Sequence, residues 1–310
     1  MTVFSLPKNL TVNYVEDFLS TVEKTFKWKD QAKPDIAVNL QKVEKIDIIG
    51  LLVLYKYIDF TYHNYCFKKP KLNSSPFMNS AWKKYEFEEL FLAFIENKGI
   101  TDKAYKDFKV KVEDKFIIAP QALLRNTSYT SEYLKQEFIP KIESYYKFDS
   151  KCVDIIFGCF SEILLNFWEH APTDTKSVII ADGNKSKIEI ACADTGIGIV
   201  ENLFKFYKGK IPKDQILRKA LEKGVTSKPN SNHMGFGLWL VNELVTANNG
   251  RFYLYSQGFY YHNNFGKIKS GKFPFWPGTI VYVNINLTKP KNLSDILNGA
   301  DLLKIKINFT

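Results

Sequence analysis

The sequence predicts an α+β protein, in which helices cover one face of a mixed, mostly antiparallel sheet over about residues 150–288. A smaller α/β or helical unit is expected before it. Two kinds of pattern lead to this prediction. Residues 153–171 repeat apolar side chains at helical intervals as far as Pro172. Beyond them, strand-like segments surround a second apolar helix: the strands are 178–181, 188–193, 251–256 and 280–287, and the helix is 238–247.

The bulk composition is that of an ordinary folded protein with room for two domains. The chain has 310 residues, of which 45% are hydrophobic and 25% are charged. Its longest apolar run, residues 48–55, is far shorter than the roughly 20 residues of a membrane helix. The N-terminus lacks the basic start and the apolar core of a signal peptide. We therefore expect a cytoplasmic protein that does not enter a membrane.

The four cysteines indicate neither a zinc site nor a disulfide framework. Cys66, Cys152, Cys159 and Cys192 are scattered, and no two of them have CxxC spacing. We interpret them as small buried hydrophobic residues of a protein in a reducing compartment.

The formal net charge of +10 has two readings. It can attract a polyanion, or it can reflect a solvated, lysine-rich surface. No run of four or more basic residues occurs, so the pattern does not indicate a nucleic-acid partner, although it leaves one open.

The N-terminal half contains shorter patterns. In chain order we expect a helix over 15–26, a strand over 36–40, a helix starting near Gly50, a loop over 68–80, and helices over 82–95 and 128–146. These patterns divide the chain into an N-terminal α/β domain (1–125), a helical connector (126–150), the larger domain (151–290) and a C-terminal extension (291–310).

The segment around Gly50 resembles part of a known domain family. An alternating strand from Ile36, followed by Asp47-Ile48-Ile49-Gly50 and an apolar run, resembles the core of a STAS domain. That α/β family is often partnered with anti-sigma-factor kinases, and its anti-anti-sigma factors carry a phosphorylatable serine before the glycine. No hydroxyl is present here, so the resemblance implies a docking or structural unit. A generic strand–helix unit is the alternative.

The predicted helix over 153–171 carries a polar stripe. Glu162, Asn166 and His170 are each four residues apart, so they lie on one face. A carboxylate one turn before a carboxamide can place a base and a metal ligand side by side. A solvated helix face is the alternative reading.

Two glycine-containing motifs follow. The strand 188–193, expected to form a hairpin around Asp182-Gly183-Asn184, delivers Asp194 and then Gly196 and Gly198; a plain turn is the alternative. The segment Gly235-Phe236-Gly237-Leu238 opens the second helix, where backbone N–H groups and the helix dipole can bind an anion.

The order of these motifs is similar to that of a known superfamily. The Asn166 helix, the Asp194 loop, the Gly235 helix start and the Thr279 strand resemble the N box and glycine boxes of the GHKL ATPases. That group includes gyrase B, MutL, histidine kinases and anti-sigma-factor serine kinases, and its Bergerat fold is a two-layer α/β sandwich. The resemblance covers residues 150–288. Phe167 stands where the family has alanine, and we expect it to narrow the floor of the site.

The resemblance implies a site for ATP and Mg²⁺. Asp194 would accept a hydrogen bond from the adenine amino group, and Thr279 would help to hold the base through water. Asn166 would ligate Mg²⁺, Glu162 would polarise a water or a substrate hydroxyl, and His170 would lie near the phosphates. The backbone at Gly196, Gly198, Gly235, Phe236, Gly237 and Leu238 would contact the nucleotide.

Residues 200–234 correspond to the mobile ATP lid of that superfamily. They contain one predicted helix, over 213–221. The end of the lid, Thr226-Ser227-Lys228, resembles a Thr-Thr-Lys sequence of many family lids. Lys228 would then reach a phosphate; a solvated loop lysine is the alternative.

Several functions remain open. An enzyme would hydrolyse ATP or, as a Ser/Thr kinase of the anti-sigma-factor type, phosphorylate a protein partner. A non-catalytic protein would bind ATP as a sensed or structural ligand, and a nucleic-acid-linked ATPase is a third reading. His63 lacks the surroundings of a phosphoacceptor histidine, which argues against a self-contained histidine kinase. A protein partner is expected, and a homodimer stays open.

Overall fold

The structure is a computed structural model of the chain. It describes residues 1–27, 35–65, 70–85, 87, 110–112, 116–123, 136, 139–147, 149–170, 177–225 and 237–299. None of the helices in these ranges is long and apolar enough to cross a membrane.

The described residues form helices and strands in a mixed order. The α-helices are α1 (Val15–Val22), α2 (Ile48–Tyr65), α3 (Pro76–Lys84), α4 (Ile139–Tyr145), α5 (Ser150–His170), α6 (Ile199–Phe206), α7 (Lys213–Lys219), α8 (Gly237–Ala247) and α9 (Leu293–Gly299). The strands are β1 (Thr2–Ser5), β2 (Asn9–Leu10), β3 (Ile36–Asn39), β4 (Lys45–Ile46), β5 (Lys71–Asn73), β6 (Val110–Val112), β7 (Phe116–Leu123), β8 (Ser177–Asn184), β9 (Lys187–Ala193), β10 (Arg251–Ser256), β11 (Phe259–Asn264), β12 (Lys267–Lys272) and β13 (Thr279–Asn286).

The larger unit is built on an eight-stranded sheet. Its strand order is β12-β11-β10-β13-β9-β8-β7-β6, and every neighbouring pair is antiparallel. The predicted α+β class is confirmed. Of the residues over 259–276, which the sequence did not assign, those from 259 to 272 form the β11–β12 hairpin at one edge.

The β8–β9 hairpin turns two residues later than predicted. Asp182 and Gly183 are paired with Glu189 and Ile188 in the ladder, so they do not form the tight turn. The turn lies at residues 185–186. Asn184 Oδ1 stabilises it by accepting hydrogen bonds from the backbone N–H groups of Ser186 and Lys187, at 2.9 and 3.1 Å.

Helices α5 and α8 cover one face of the sheet. The apolar stripe of α5, including Ile156, Phe160, Ile163 and Phe167, is buried in the core that it shares with α8. The helix starts at residue 150, three residues earlier than predicted, because Asp149 Oδ1 accepts the N–H groups of the first turn.

The opposite face of the sheet is also apolar, and the N-terminal unit, formed by β1–β5 and α1–α3, covers it. Side chains alternate along a strand, so Val178 and Ile180 face away from α5 while Ile179 faces it. All three are fully buried, and the first two join the core of the N-terminal unit. Helix α2 lies directly on β8 and β9. The two-layer sandwich thus carries a third layer.

The N-terminal unit contains a small parallel sheet in the order β1-β3-β5. Asp47 begins α2 by accepting the N–H groups of Gly50 and Val12, at 3.0 and 2.7 Å. Burial raises the pKa of its carboxyl to about 6. A side chain at Gly50 would lie 1.8 Å from the Leu10 carbonyl oxygen, so only glycine fits. The resemblance to a STAS domain remains a prediction.

The loop predicted over 68–80 is wrong in part. Residues 71–73 form β5, and α3 begins at Pro76. Ser75 caps this helix, since its Oγ accepts the N–H of Met78 at 3.3 Å. The sequence itself indicates this helix start, because a serine followed by proline is common at the N-terminus of a helix.

The division of the chain at residue 125 also remains a prediction. Strands β6 and β7 pair with each other, and β7 pairs with β8, so residues 110–123 contribute to the large sheet. This pairing favours a boundary before residue 110. Of the helix predicted over 128–146, α4 is the described part; the helix predicted over 82–95 lies mostly outside the described residues.

Candidate functional site

The polar stripe of α5 and the Asp194 loop lie at the same end of the large sheet. Helix α5 starts at the other end, where Cys152 Sγ lies 4.0 Å from the carbonyl oxygen of Leu287, just beyond β13. At 1.5 Å per residue, the helix reaches Asn166 after about 21 Å. Strand β9 starts with Lys187 at the end where α5 starts, and at about 3.3 Å per residue it reaches Asp194 after about 23 Å. Asn166 and Asp194 therefore both lie toward the opposite end of the sheet.

Helix α8 supports this placement independently. Its C-terminal end lies at the start of α5, because Arg251, just after the helix, pairs with Asn284 near the end of β13. Its first residue, Gly237, lies at the opposite end against α5. A Cβ at Gly237 would be 2.7 Å from Asn166 Nδ2 and 3.2 Å from Glu162 Oε2. The backbone at the start of α8 therefore lies directly against the side chains of Glu162 and Asn166.

Glu162 and Asn166 are both half-buried. Asn166 Nδ2 donates to the Glu162 backbone oxygen at 2.8 Å, one turn earlier in the helix. This bond uses the donor end of the carboxamide and keeps Oδ1 as its acceptor atom. An amide oxygen is a hard ligand of the kind that Mg²⁺ takes, so the donor set fits a magnesium ion.

Asp194 is held at the end of β9 by backbone donors. The residue is 3% exposed, its Oδ1 accepts the Gly196 N–H at 2.7 Å, and its Oδ2 accepts the Thr279 N–H at 3.2 Å. The Asp194 N–H in turn donates to the Thr279 carbonyl oxygen at 2.9 Å. Each carboxylate oxygen can accept more than one hydrogen bond, so this group can receive a further donor from a ligand.

Thr279 and Gly198 close the loop around Asp194. The Ile199 N–H donates to Thr279 Oγ1 at 3.2 Å, and the hydroxyl keeps its own hydrogen to donate. Gly198 has φ +80°, and a Cβ there would lie 2.6 Å from Ser256 Oγ. Only glycine combines that conformation with that close approach.

Gly278 brings the last strand close to the same loop. A Cβ at this position would lie 2.3 Å from both the backbone oxygen and Oδ1 of Asp194. The strand that carries Thr279 can therefore pass directly over Asp194 only with glycine at 278.

Other predicted site residues are described only in part. His170 is the last residue of α5, and its side chain lies outside the described residues, as do Lys228, Gly235 and Phe236 entirely. Leu238 is 6% exposed and packs in the core, so only its backbone is a candidate contact.

One expectation about the site is wrong and one remains a prediction. Phe167 is 4% exposed and packs in the apolar core, and its effect on the floor of the site remains a prediction. The described part of the connection over 200–234, as far as residue 225, contains two helices rather than one, because α6 begins directly after Gly198 with an apolar face that packs on the core. Residues 226–234 of this connection lie outside the described residues.

Sequence reasoning missed three residues that hold the Asp194 loop. Trp276 Nε1 donates to the Asp194 backbone oxygen at 2.8 Å. Gln257 Nε2 donates to the Ile197 oxygen at 2.9 Å and also to the Pro277 oxygen, and Ser256 Oγ donates to the oxygen of residue 278 at 2.9 Å. The one available signal was the tryptophan directly before the Pro-Gly-Thr segment.

Comparison with known proteins identifies this domain. The family model described as "Histidine kinase-, DNA gyrase B-, and HSP90-like ATPase" matches residues 153–288. No curated protein and no solved structure matches the chain. The matched segment runs from α5 to just past β13 and so contains both the polar stripe and the Asp194 loop. Residues 153–288 therefore form an ATP-binding domain of the GHKL ATPase superfamily.

Proposed function

We propose that the chain binds ATP together with Mg²⁺ at this end of the sheet and then hydrolyses it or transfers its terminal phosphate to a protein partner. One observation carries the proposal. The backbone of Gly237 lies against the Glu162–Asn166 pair, at the same end of the sheet as the carboxylate of Asp194. An adenine acceptor, an anion-binding helix start and a metal ligand are thus available to one nucleotide.

Asp194 is proposed to select adenine. Its carboxylate only accepts hydrogen bonds, so it suits the exocyclic amino group of adenine and opposes the carbonyl that guanine carries at that position. Thr279 supports this role, because its hydroxyl retains a hydrogen to donate toward a water or the base. Gly196 and Gly198 let the loop pass close to the ring without side chains in the way.

The start of α8 is proposed to hold the phosphates. The first N–H groups of a helix have no partners within the helix, and the dipole favours negative charge there. The contacts predicted for Gly235, Phe236, Lys228 and His170 belong to the same part of the site and remain proposals.

Asn166 and Glu162 are proposed to carry the chemistry. Bound Mg²⁺ offsets the negative charge of the triphosphate. Asn166 contributes its Oδ1 to the ion, and its bond to the Glu162 backbone keeps that oxygen oriented. Glu162 takes a proton from the attacking water or from a partner hydroxyl.

Nucleotide binding and turnover test this function directly. The protein is titrated with ATP in the presence of Mg²⁺ and, as a control, with EDTA, and ADP release is followed separately. We expect Mg²⁺-dependent binding and ADP release that is lost in Glu162→Gln while binding persists. Binding without turnover, alone and with added candidate partners, would leave an ATP sensor. No binding at all would refute the proposal.

The two enzymatic reactions are separated by mass analysis of candidate partners after incubation with Mg²⁺ and ATP. Added phosphate on a partner supports a kinase, and ADP release without such transfer supports a hydrolase. A nucleic-acid-linked ATPase requires DNA or RNA binding that weakens steeply with salt.

A further inference from the structure

A buried tryptophan that is not among the predicted site residues forms a hydrogen bond to the main chain of the Asp194 loop. Trp276 is fully buried, and its indole N–H can only donate, which it does to the Asp194 carbonyl oxygen at 2.8 Å. Gln257 supports the contact from the neighbouring strand end. Its backbone N–H donates to the Trp276 oxygen at 3.1 Å, and its side chain donates to the Ile197 oxygen at 2.9 Å. The loop backbone is thus held at two points.

The N-terminal unit in turn holds Trp276. Glu23 Oε2 accepts the backbone N–H of Phe275 at 3.0 Å. The Phe26 ring packs edge-on against Trp276 with centroids 5.5 Å apart and against Phe275 at 6.2 Å. Phe26 also packs against Tyr57 of α2 at 6.1 Å. A continuous set of contacts therefore leads from the N-terminal core to the residue proposed to read adenine.

We infer that Trp276 is a positioning residue for adenine recognition, and that the N-terminal unit tunes this recognition through Glu23 and Phe26. The inference rests on the proposed ATP site. The Asp194 carboxylate is aimed by its own backbone, so a donor that fixes the backbone oxygen fixes the acceptor for the base. Preorganisation of this kind increases affinity by lowering the ordering cost of binding. The phosphate contacts lie on other elements and should be unaffected.

The first experiment compares Trp276→Phe with the matched control Trp82→Phe, which makes the same change on α3. The probes are ATP and ITP, whose base carries a carbonyl in place of the amino group, each titrated with Mg²⁺ by calorimetry. Trp276→Phe should weaken ATP binding about threefold to tenfold, the value of one hydrogen bond, and leave ITP binding unchanged. Equal weakening for both nucleotides, or none for ATP, would overturn the inference.

The second experiment tests the link to the N-terminal unit by a double-mutant cycle. Glu23→Ala should weaken ATP binding about two- to fivefold in the wild-type background and have almost no effect when Trp276 is already phenylalanine. Glu23→Gln, which retains an acceptor for the Phe275 N–H, should restore the affinity. The same loss in both backgrounds would show that Glu23 does not act through Trp276.

A third measurement needs no nucleotide and separates this inference from the proposed function. Hydrogen exchange at the Gly196 and Ile199 amides, which donate to Asp194 and Thr279, should be faster in Trp276→Phe than in the wild type. If the wild type binds no ATP, the proposed function fails while exchange still decides whether Trp276 holds the loop. If ATP binds but neither exchange nor affinity responds, the inference alone fails.

Discussion

Replacing Gly237 by alanine should damage the nucleotide site while leaving the fold intact. Gly237 is the first residue of α8, where alanine is a better helix former by up to about 1 kcal/mol. The added Cβ would lie 2.7 Å from Asn166 Nδ2, well inside the 3.4 Å at which ordinary contact begins. Glu162 Oε2, at 3.2 Å, is the other atom it approaches closely, and both atoms are the ends of side chains, so Asn166 can rotate away and the backbone need not move.

The size of the loss in ATP affinity depends on the rotation of the Asn166 side chain. Rotation breaks its bond to the Glu162 oxygen, a net loss of about 0.5–1.5 kcal/mol that the helix gain largely offsets in the free protein. Nucleotide binding must then return Asn166 to a crowded, off-rotamer position, at a further cost of about 0.5–1.5 kcal/mol. The bond to the Glu162 oxygen forms again in the bound state, so only this second cost weakens ATP binding, by about 0.5–1.5 kcal/mol, or about 2- to 13-fold.

Calorimetric titration with Mg²⁺ and ATP and urea unfolding measure the two effects. Gly158→Ala is the matched control in α5, because its Cβ would meet only Leu244 Cδ1, at 3.3 Å. We expect Gly237→Ala to lose affinity with a change in unfolding free energy below about 1 kcal/mol, and Gly158→Ala to keep its affinity. Unchanged ATP binding in Gly237→Ala would refute the assignment of the α8 start to the site.

Three further outcomes are expected. Glu162→Gln should slow ADP release by about 10²–10⁴-fold while the Kd for ATP changes little, as measured by coupled assay and calorimetry. Asp194→Asn should lower the unfolding free energy by about 1–3 kcal/mol in urea and weaken ATP binding, since an NH₂ group would oppose a backbone donor such as the Thr279 N–H. Burial lowers the pKa of His262 from 6.5 to about 4, so the unfolded chain binds the proton more readily than the folded one. The unfolding free energy of the wild type should therefore fall by up to about 3 kcal/mol as the pH falls from the unfolded to the folded pKa of this histidine. Asp47, whose pKa is raised to about 6, acts in the opposite direction, so the wild type is compared with His262→Gln.

Each of these outcomes has a contrary result. Retained turnover in Glu162→Gln would exclude it as the base, and an unchanged urea midpoint in Asp194→Asn would show that its carboxylate is not held by the two backbone donors. The His262 reasoning fails if wild type and His262→Gln lose the same unfolding free energy between pH 7 and pH 4.

The parts of the fold that the sequence predicted are those with a long apolar pattern. Helices α5 and α8 and strands β9 and β13 each present such a pattern over six or more residues, and each was found within three residues of its predicted position. The same patterns place Asn166 and Asp194 at the ends of elements that run side by side. Their convergence needed the register of β9 and β13, which no local pattern contains.

The parts that were missed depend on single side chains or on distant partners. Asn184 moves the hairpin turn by two residues, and Ser75 starts a helix inside an expected loop, each through one hydrogen-bonded side chain. Strand β7, with β6 paired on its outer side, joins the sheet by pairing with β8, about 60 positions away, which a local pattern cannot reveal. The role of Trp276 is of the same kind, since its partner Asp194 is 82 residues distant in the chain.

The burial of α2 on nearly every side constrains how the protein can respond to a signal. From Ile48 to Ile58 each residue of this helix is buried, between the other residues of the N-terminal core and the strands β8 and β9. Pulling the two units apart would expose apolar surface on both at once, at a cost comparable with the stability of a whole domain. Any change that passes from one unit to the other would therefore have to cross this boundary with the units still joined, as a shift of packed side chains rather than a separation.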